Sequence, residues 1–211
     1  MNTTAQTNKF RETLKEEAVT YRVVLTAEAL DRLSQYYELL NLWNSRVHLV
    51  APCSPEEFAT RHVLESLVLL KHLPKGSSVA DVGSGGGLPI LPCLIARPDL
   101  RVVLIEAAQK KAVFLREALT QSGSSLRASV VNERFENVVA PPVDFVTCRA
   151  LERFEEMLPQ LFEWAPANAT LLLFGAKQLE SRIESLGFSR TAELMPHSQG
   201  RFLFVVTKAR G

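Results

Sequence analysis

Residues 79–89, V-A-D-V-G-S-G-G-G-L-P, are the stretch from which the fold is read. Val79–Val82 is a short apolar run interrupted by Asp81, Gly83, Gly85 and Gly87 then break any regular side-chain pattern, and Leu88-Pro89 opens a helical segment. Glycine allows the backbone a positive φ and a close approach to a ligand, and a helix start beyond it offers unpaired N–H groups. The stretch therefore predicts a strand, a glycine loop and a helix that together hold a nucleotide-type cofactor. It is not the dinucleotide fingerprint, which would need glycine at position 88, where Leu88 stands; nor is it a P-loop, since no Gly-Lys-Ser/Thr follows. Twenty-three residues after Gly83, the run Arg101-Val102-Val103-Leu104-Ile105 ends in Glu106. An acidic side chain at the end of a second strand can accept hydrogen bonds from ribose hydroxyls. The bland alternative is a tight turn followed by a solvated Glu, and the strand–glycine–helix context speaks against it.

On the N-terminal side, residues 1–9 are polar and expected to fray, and Phe10–Val19 has helical composition. Thr26 reads as the N-cap of a second helix with apolar residues at Leu30, Leu33, Tyr36, Tyr37 and Leu40, and Val47–Val50 is expected to be extended. Ser54 with Pro55 caps a third helix carrying Phe58, Val63, Leu64, Leu67 and Leu70, which closes at Leu73-Pro74-Lys75-Gly76. On the C-terminal side the pattern alternates. Strands are predicted near 78–83, 101–106, 127–132, 143–148 and 169–174, with helices near 87–96, 109–121, 152–164 and 176–186. Such alternation gives a parallel sheet covered on both faces. Gly187–Leu194 and Arg201–Thr207 form a hairpin, so the last strand is expected antiparallel. The outline is a Rossmann-like α/β fold of the class I methyltransferase type. Its sheet has seven strands, mostly parallel with a late antiparallel strand. Residues 1–75 form a helical extension and 76–211 the core.

Composition narrows the function class. The chain has 211 residues and a formal net charge of +1, so bulk charge does not announce nucleic-acid binding and any basic surface must be local. Cys53, Cys93 and Cys148 are far apart and odd in number, and the four histidines are scattered, so neither a disulfide frame nor a metal site is expected. No run approaches the roughly 18 apolar residues of a spanning helix and the start lacks a secretory signal, which predicts a soluble, cytoplasmic protein without a membrane partner.

Six stretches, in order along nearly the whole chain, resemble one family. They are L-W-N at 42–44, S-P-E-E-F with R-H-V-L-E-S-L through 54–67, D-V-G-S-G-G-G-L-P at 81–89, K-K-A-V-F-L at 110–115, C-R-A at 148–150 and the closing R-F-L-F-V-V. The chain resembles the bacterial ribosomal RNA methyltransferases also called glucose-inhibited division protein B, which methylate a guanine at N7 in small-subunit (16S) ribosomal RNA. The resemblance implies S-adenosylmethionine as cofactor and 16S RNA or the small subunit as partner; a monomer is expected, although the sequence leaves the oligomeric state open. It places Gly83, Gly85 and Leu88 at the methionine moiety, Glu106 at the ribose, Phe135 and Glu136 beside the adenine, and Arg149 against cofactor or RNA.

Candidates for a phosphate-gripping rim are Arg61, His62, Lys110, Lys111, Arg149, Lys177 and Arg201. The chain departs from the family pattern at His48 and Val50, where Asn and Thr are usual, and at Phe174, commonly Lys; Lys177 stands three residues on. Guanine N7 already carries an in-plane lone pair, so the expected chemistry is orientation of two reactants without a general base. Two other classes share the loop. One is a nucleotide-dependent oxidoreductase, which the misplaced third glycine disfavours, and the other a non-catalytic binding protein, hinted at only by Val50 and Phe174.

Overall fold

The computed structural model describes residues 3–149 and 154–208. Helices α1 (Thr3–Glu17) and α2 (Ala27–Val47) lead into a third helical stretch that changes its winding along its length. It is α-helical at Pro55–Glu57 (α3) and Glu65–Leu67 (α4), π-helical between them over Phe58–Leu64, and ends as a 3-10 helix over Val68–His72. Strands β1 (Ser78–Val82), β2 (Arg101–Ile105), β3 (Ala128–Val131), β4 (Phe145–Arg149) and β5 (Thr170–Gly175) follow, with α5 (Ile90–Ala96), α6 (Gln109–Gln121), α7 (Phe154–Trp164) and α8 (Gln178–Ser185) between them. The hairpin β6 (Arg190–Leu194) and β7 (Phe202–Thr207) completes one seven-stranded sheet of order β3-β2-β1-β4-β5-β7-β6. The first five strands are mutually parallel, and β7 runs antiparallel to β5 and to β6.

Each face of the sheet has its own apolar core. One joins the N-terminal helices, α5 and α6 to the strands, with Phe10, Leu33, Leu40, Phe58, Leu91 and Phe114 buried together. The other packs α7 and α8 through Leu158, Leu161, Phe162 and Ile183. Central strands are thus buried on both sides, and Leu171-Leu172-Leu173 of β5 is a continuous apolar run for that reason.

Local signals set most boundaries. The Thr26 hydroxyl accepts from the Ala29 N–H at 3.1 Å and the Ser54 hydroxyl from the Glu57 N–H at 3.1 Å, so both predicted caps are in place. Two expectations for the lead-in are overturned. Helix α1 already runs from Thr3, because Phe10 and Leu14 dock it in the core and Phe10 stacks on Tyr37 at 4.5 Å. Residues 48–50 form no strand: His48 ends α2 with φ +52°, and Asn44 clamps the turn by accepting from the Val50 N–H and donating to its carbonyl, both at 3.0 Å. Of the helix predicted near 152–164, residues 152 and 153 lie outside the described part, as does Ala150 of the C-R-A stretch.

Candidate active site

The sheet order reverses between β1 and β4, and open α/β sheets bind ligands in the crevice that such a reversal leaves at the carboxyl ends of the strands. A cleft of about 760 Å³ lies there. It is lined by the loops after β1, β2 and β3, by the end of β4 and by Leu49–Ala51 and His62 of the N-terminal region.

The loop after β1 is built as its glycines suggest. Gly83, Gly85 and Gly87 all have positive φ, from 51° to 84°. At Gly87 a Cβ would also sit 3.0 Å from both Cβ and Cδ2 of Leu91 in the first turn of α5, a tight contact that adds to the demand of its positive φ for glycine. The amides of Gly83 and Ser84 donate to the Ile105 carbonyl at 2.9 and 3.2 Å, tying the loop to β2. Glu106, 8% exposed, completes the tie: one carboxylate oxygen accepts from the Gly85 N–H at 2.8 Å and the other from the Ala108 N–H at 2.7 Å. Each oxygen keeps further acceptor capacity in a residue that lines the cleft, so the predicted ribose acceptor also holds the loop in shape.

Two residues that the sequence reading passed over support this loop. The Tyr36 hydroxyl, buried on α2, donates to the Gly86 carbonyl at 2.5 Å and so pins the glycine turn to the N-terminal helices. Asp81 is fully buried in β1, and among the described residues neither of its carboxylate oxygens meets a partner at hydrogen-bond geometry. Burial pushes its carboxyl up to about 8, and the nearby Glu106 charge adds to the rise. The V-A-D-V run could have flagged it, since a carboxylate inside an apolar strand is costly unless something meets it.

Gly83, Gly85, Leu88, Glu106, Phe135, Glu136 and Arg149 all line the cleft. Phe135 is buried edge-on against Trp164 at 5.7 Å, and the Trp164 indole N–H donates to the Val138 carbonyl at 2.7 Å. The basic residues divide. Lys111 and Arg149 line the cleft, joined by Arg134, which was not foreseen. Lys110, Arg61 and Lys177 are exposed and do not, and Arg61 is paired with Glu57 at 2.9 Å. His62 lines the cleft but carries no charge to offer phosphate. Burial, with Arg149, Arg61 and Arg201 close by, holds it down to about 3. Its neutral ring packs 5.2 Å from Phe58 on the π-helical turn, and π-turns recur at functional sites. Arg201 pairs with Glu65, its Nε and Nη2 at 2.9 and 2.7 Å from one carboxylate oxygen, while its side chain stays 40% exposed.

The departures at Val50 and Phe174 now have surroundings. Val50 lines the cleft beside Leu49, whereas His48 is exposed on the turn behind. Phe174 is paired in register with Arg149, and its ring lies 5.4 Å beneath the guanidinium carbon. Among the described residues no cluster of three or more His, Cys, Asp or Glu could hold a metal ion, and no helix is long and apolar enough to cross a membrane.

Comparison with known proteins agrees with this geometry. Among solved structures, a methyltransferase from Pyrococcus furiosus superposes with a TM-score of 0.60 at 14% identity, over 85% of this chain and 99% of that one. An S-adenosylmethionine-dependent methyltransferase from Aquifex aeolicus gives 0.55 at 19% identity, over 67% and 89%. These likenesses establish the fold. Two relatives are both named ribosomal RNA small subunit methyltransferase G. That of Sorangium cellulosum is 36% identical over 191 residues, 86% of this chain and 80% of its own. That of Nitrosomonas eutropha is 40% identical over 151 residues, 70% of each. The family model for rRNA small subunit methyltransferase G matches residues 29–204, a span that takes in α2, the glycine loop, Glu106 and Arg149, and the chain belongs to that family.

Proposed function

We propose that this protein transfers the methyl group of S-adenosylmethionine to N7 of a guanine in 16S ribosomal RNA. It does so as a cytoplasmic monomer in which residues 1–75 form a helical extension and 76–211 the cofactor-binding core. The observation that carries the reading is the cleft at the switch point, where three positive-φ glycines and Glu106 form one cradle. The cradle suits a cationic cofactor: Glu106, Glu133 and Glu136 line it, and the carboxyl of Asp81 is buried in β1 just before the glycine loop.

Gly83, Gly85 and Leu88 would border the methionine part, Glu106 the ribose, and Phe135 with Glu136 the adenine. When bound, the cofactor supplies an electrophilic methyl group. The chain then has to hold guanine N7 in line with it, because the N7 lone pair lies in the ring plane and needs no base to expose it. Lys111, Arg134 and Arg149 supply positive charge in the cleft for the RNA backbone. Neutral His62 offers a hydrogen bond where a charged ring would repel its arginine neighbours.

The test is incubation with S-adenosylmethionine and small ribosomal subunits or 16S RNA from a strain lacking the gene, followed by nucleoside mass spectrometry. Appearance of 7-methylguanosine is expected, and it should be lost with Gly83→Asp. Methylation at another guanine position, or none on either substrate, would overturn the proposal.

A further inference from the structure

Glu65 has no part in the roles given above, yet among the described residues it is the most buried carboxylate after Asp81, at 1% exposure. It sits at the start of α4, directly after the π-helical turn, and meets cations from two distant parts of the chain. Its Oε1 takes Nε and Nη2 of Arg201, at 2.9 and 2.7 Å, from the approach to β7. Its Oε2 lies 3.4 Å from Nη2 of Arg149 at the end of β4. The same Nη2 donates to the Arg61 carbonyl at 2.8 Å, and Nη1 donates to the Ser66 hydroxyl at 3.4 Å. Phe174 closes the lower face of the guanidinium.

One helical segment thus grips Arg149 by three acceptors while its Nε makes no hydrogen bond among the described residues. The Arg149 side chain is 14% exposed, and the residue lines the cleft. One carboxylate between two guanidiniums leaves a formal surplus of one positive charge. Burial disfavours the charged form of Arg149, and Glu65 opposes that.

We propose that Glu65 is a positioning residue that fixes Arg149 with its free edge toward the cleft, with Arg201 as the counter-charge that holds Glu65 in place. The free edge then meets anionic oxygen, a cofactor carboxylate or an RNA phosphate. This consequence rests on the functional reading above, whereas the positioning itself does not. Arg201 belongs to this support.

The experiment has two arms. In the ligand-free protein, ¹⁵N-edited NMR of the arginine side chains should show slow guanidinium rotation for Arg149, lost in Glu65→Gln and partly kept in Glu65→Asp. In the second arm, calorimetry with S-adenosylhomocysteine and filter binding with 16S RNA are run on Glu65→Gln, Arg149→Lys and the double variant. Glu65→Gln should weaken one ligand by about 10-fold when Arg149 is present and by under about 2-fold when it is not, the non-additivity expected of residues that act through one another. The ligand affected names the source of the anion. If Glu65→Gln does not fold, Glu65→Asp takes its place in the cycle. Unchanged Arg149 rotation, or effects that simply multiply, would overturn the proposal. A wild-type protein that binds neither ligand would refute the functional reading instead, and the rotation measurement would still decide the role of Glu65.

Discussion

Asp81→Asn should make the ligand-free protein lose less stability as pH rises. Folding carries the Asp81 carboxyl from an ordinary 3.8 to about 8, chiefly through burial. The folded state therefore keeps a proton that the unfolded chain releases. Stability present below the unfolded value is lost as pH climbs toward the folded value, at about 1.4 kcal/mol per pH unit. Between pH 5 and pH 7 the penalty grows by roughly 2.7 kcal/mol. Asparagine cannot ionise, and whatever its amide costs in that pocket is the same at every pH. Urea unfolding of both proteins at half-unit steps from pH 5 to 7.5 should give a gap that widens in favour of Asp81→Asn along this slope. Parallel stability curves would refute the idea that the carboxyl is buried without a partner. The variant should also bind S-adenosylmethionine more weakly, since a cationic ligand favours the ionised carboxylate. Parent protein should then release protons on binding at pH 7, seen as a dependence of the calorimetric heat on the buffer's ionisation enthalpy, and the variant should release fewer.

Tyr36→Phe removes the donor to the Gly86 carbonyl without opening space; it should lower stability by about 1 kcal/mol and raise the cofactor Kd several-fold in a calorimetric titration, whereas an unchanged Kd would uncouple α2 from the loop. Gly87→Ala places a methyl group 3.0 Å from Leu91 at φ +84° and should cost about 1–3 kcal/mol, read from the urea midpoint. For RNA, Lys111→Ala should reduce the slope of log K against log salt by about 0.7–0.9, and Lys110→Ala, outside the cleft, by less; equal slopes would remove Lys111 from the phosphate contacts. With its ring held down to about 3, His62 favours folding above pH 6.5, and that contribution drains away as pH falls toward 3. His62→Gln should therefore flatten part of the acid limb of the stability curve, and an unaltered limb would show that the ring titrates normally.

What the sequence made legible is what local chemistry decides. Caps at Thr26 and Ser54, alternating apolar runs and the glycine spacing each act within a few residues, so α6 falls at 109–121 as predicted and β1 to β5 within two residues of their expected ends. What stayed hidden depends on partners far along the chain. Arg201 looks like an exposed base until Glu65, 136 residues away, is folded against it. His62 reads as a cation until burial and three arginines from separate segments surround it. Glu106 is expected from its place in the sequence to meet a ribose, but its grip on the Gly85 amide exists only once β1 and β2 lie side by side. Tyr36 sits on an apolar helix face like its neighbours, and only the tertiary contact turns its hydroxyl into a strut for the loop.

The charges in the cleft bear on how two unlike ligands share it. Glu106, Glu133 and Glu136 line the same space as Lys111, Arg134 and Arg149, with His62 neutral, so the formal charges of the lining cancel. A strongly basic cleft would attract RNA but oppose a sulfonium cofactor, and an acidic one would do the reverse. Balance allows both, and under the proposed roles the cations would meet phosphate and the carboxylates the ribose and the cofactor cation. Salt should then separate the two binding steps. Cofactor affinity, set by short contacts in a partly enclosed cleft, should change by less than about 2-fold between 50 and 300 mM salt, whereas RNA affinity should fall steeply over the same range through counterion release. Cofactor binding that weakened with salt as steeply as RNA binding would mean that one uncompensated charge dominates the cleft, and the pairing of Arg149 with Glu65 would be the first place to look for it.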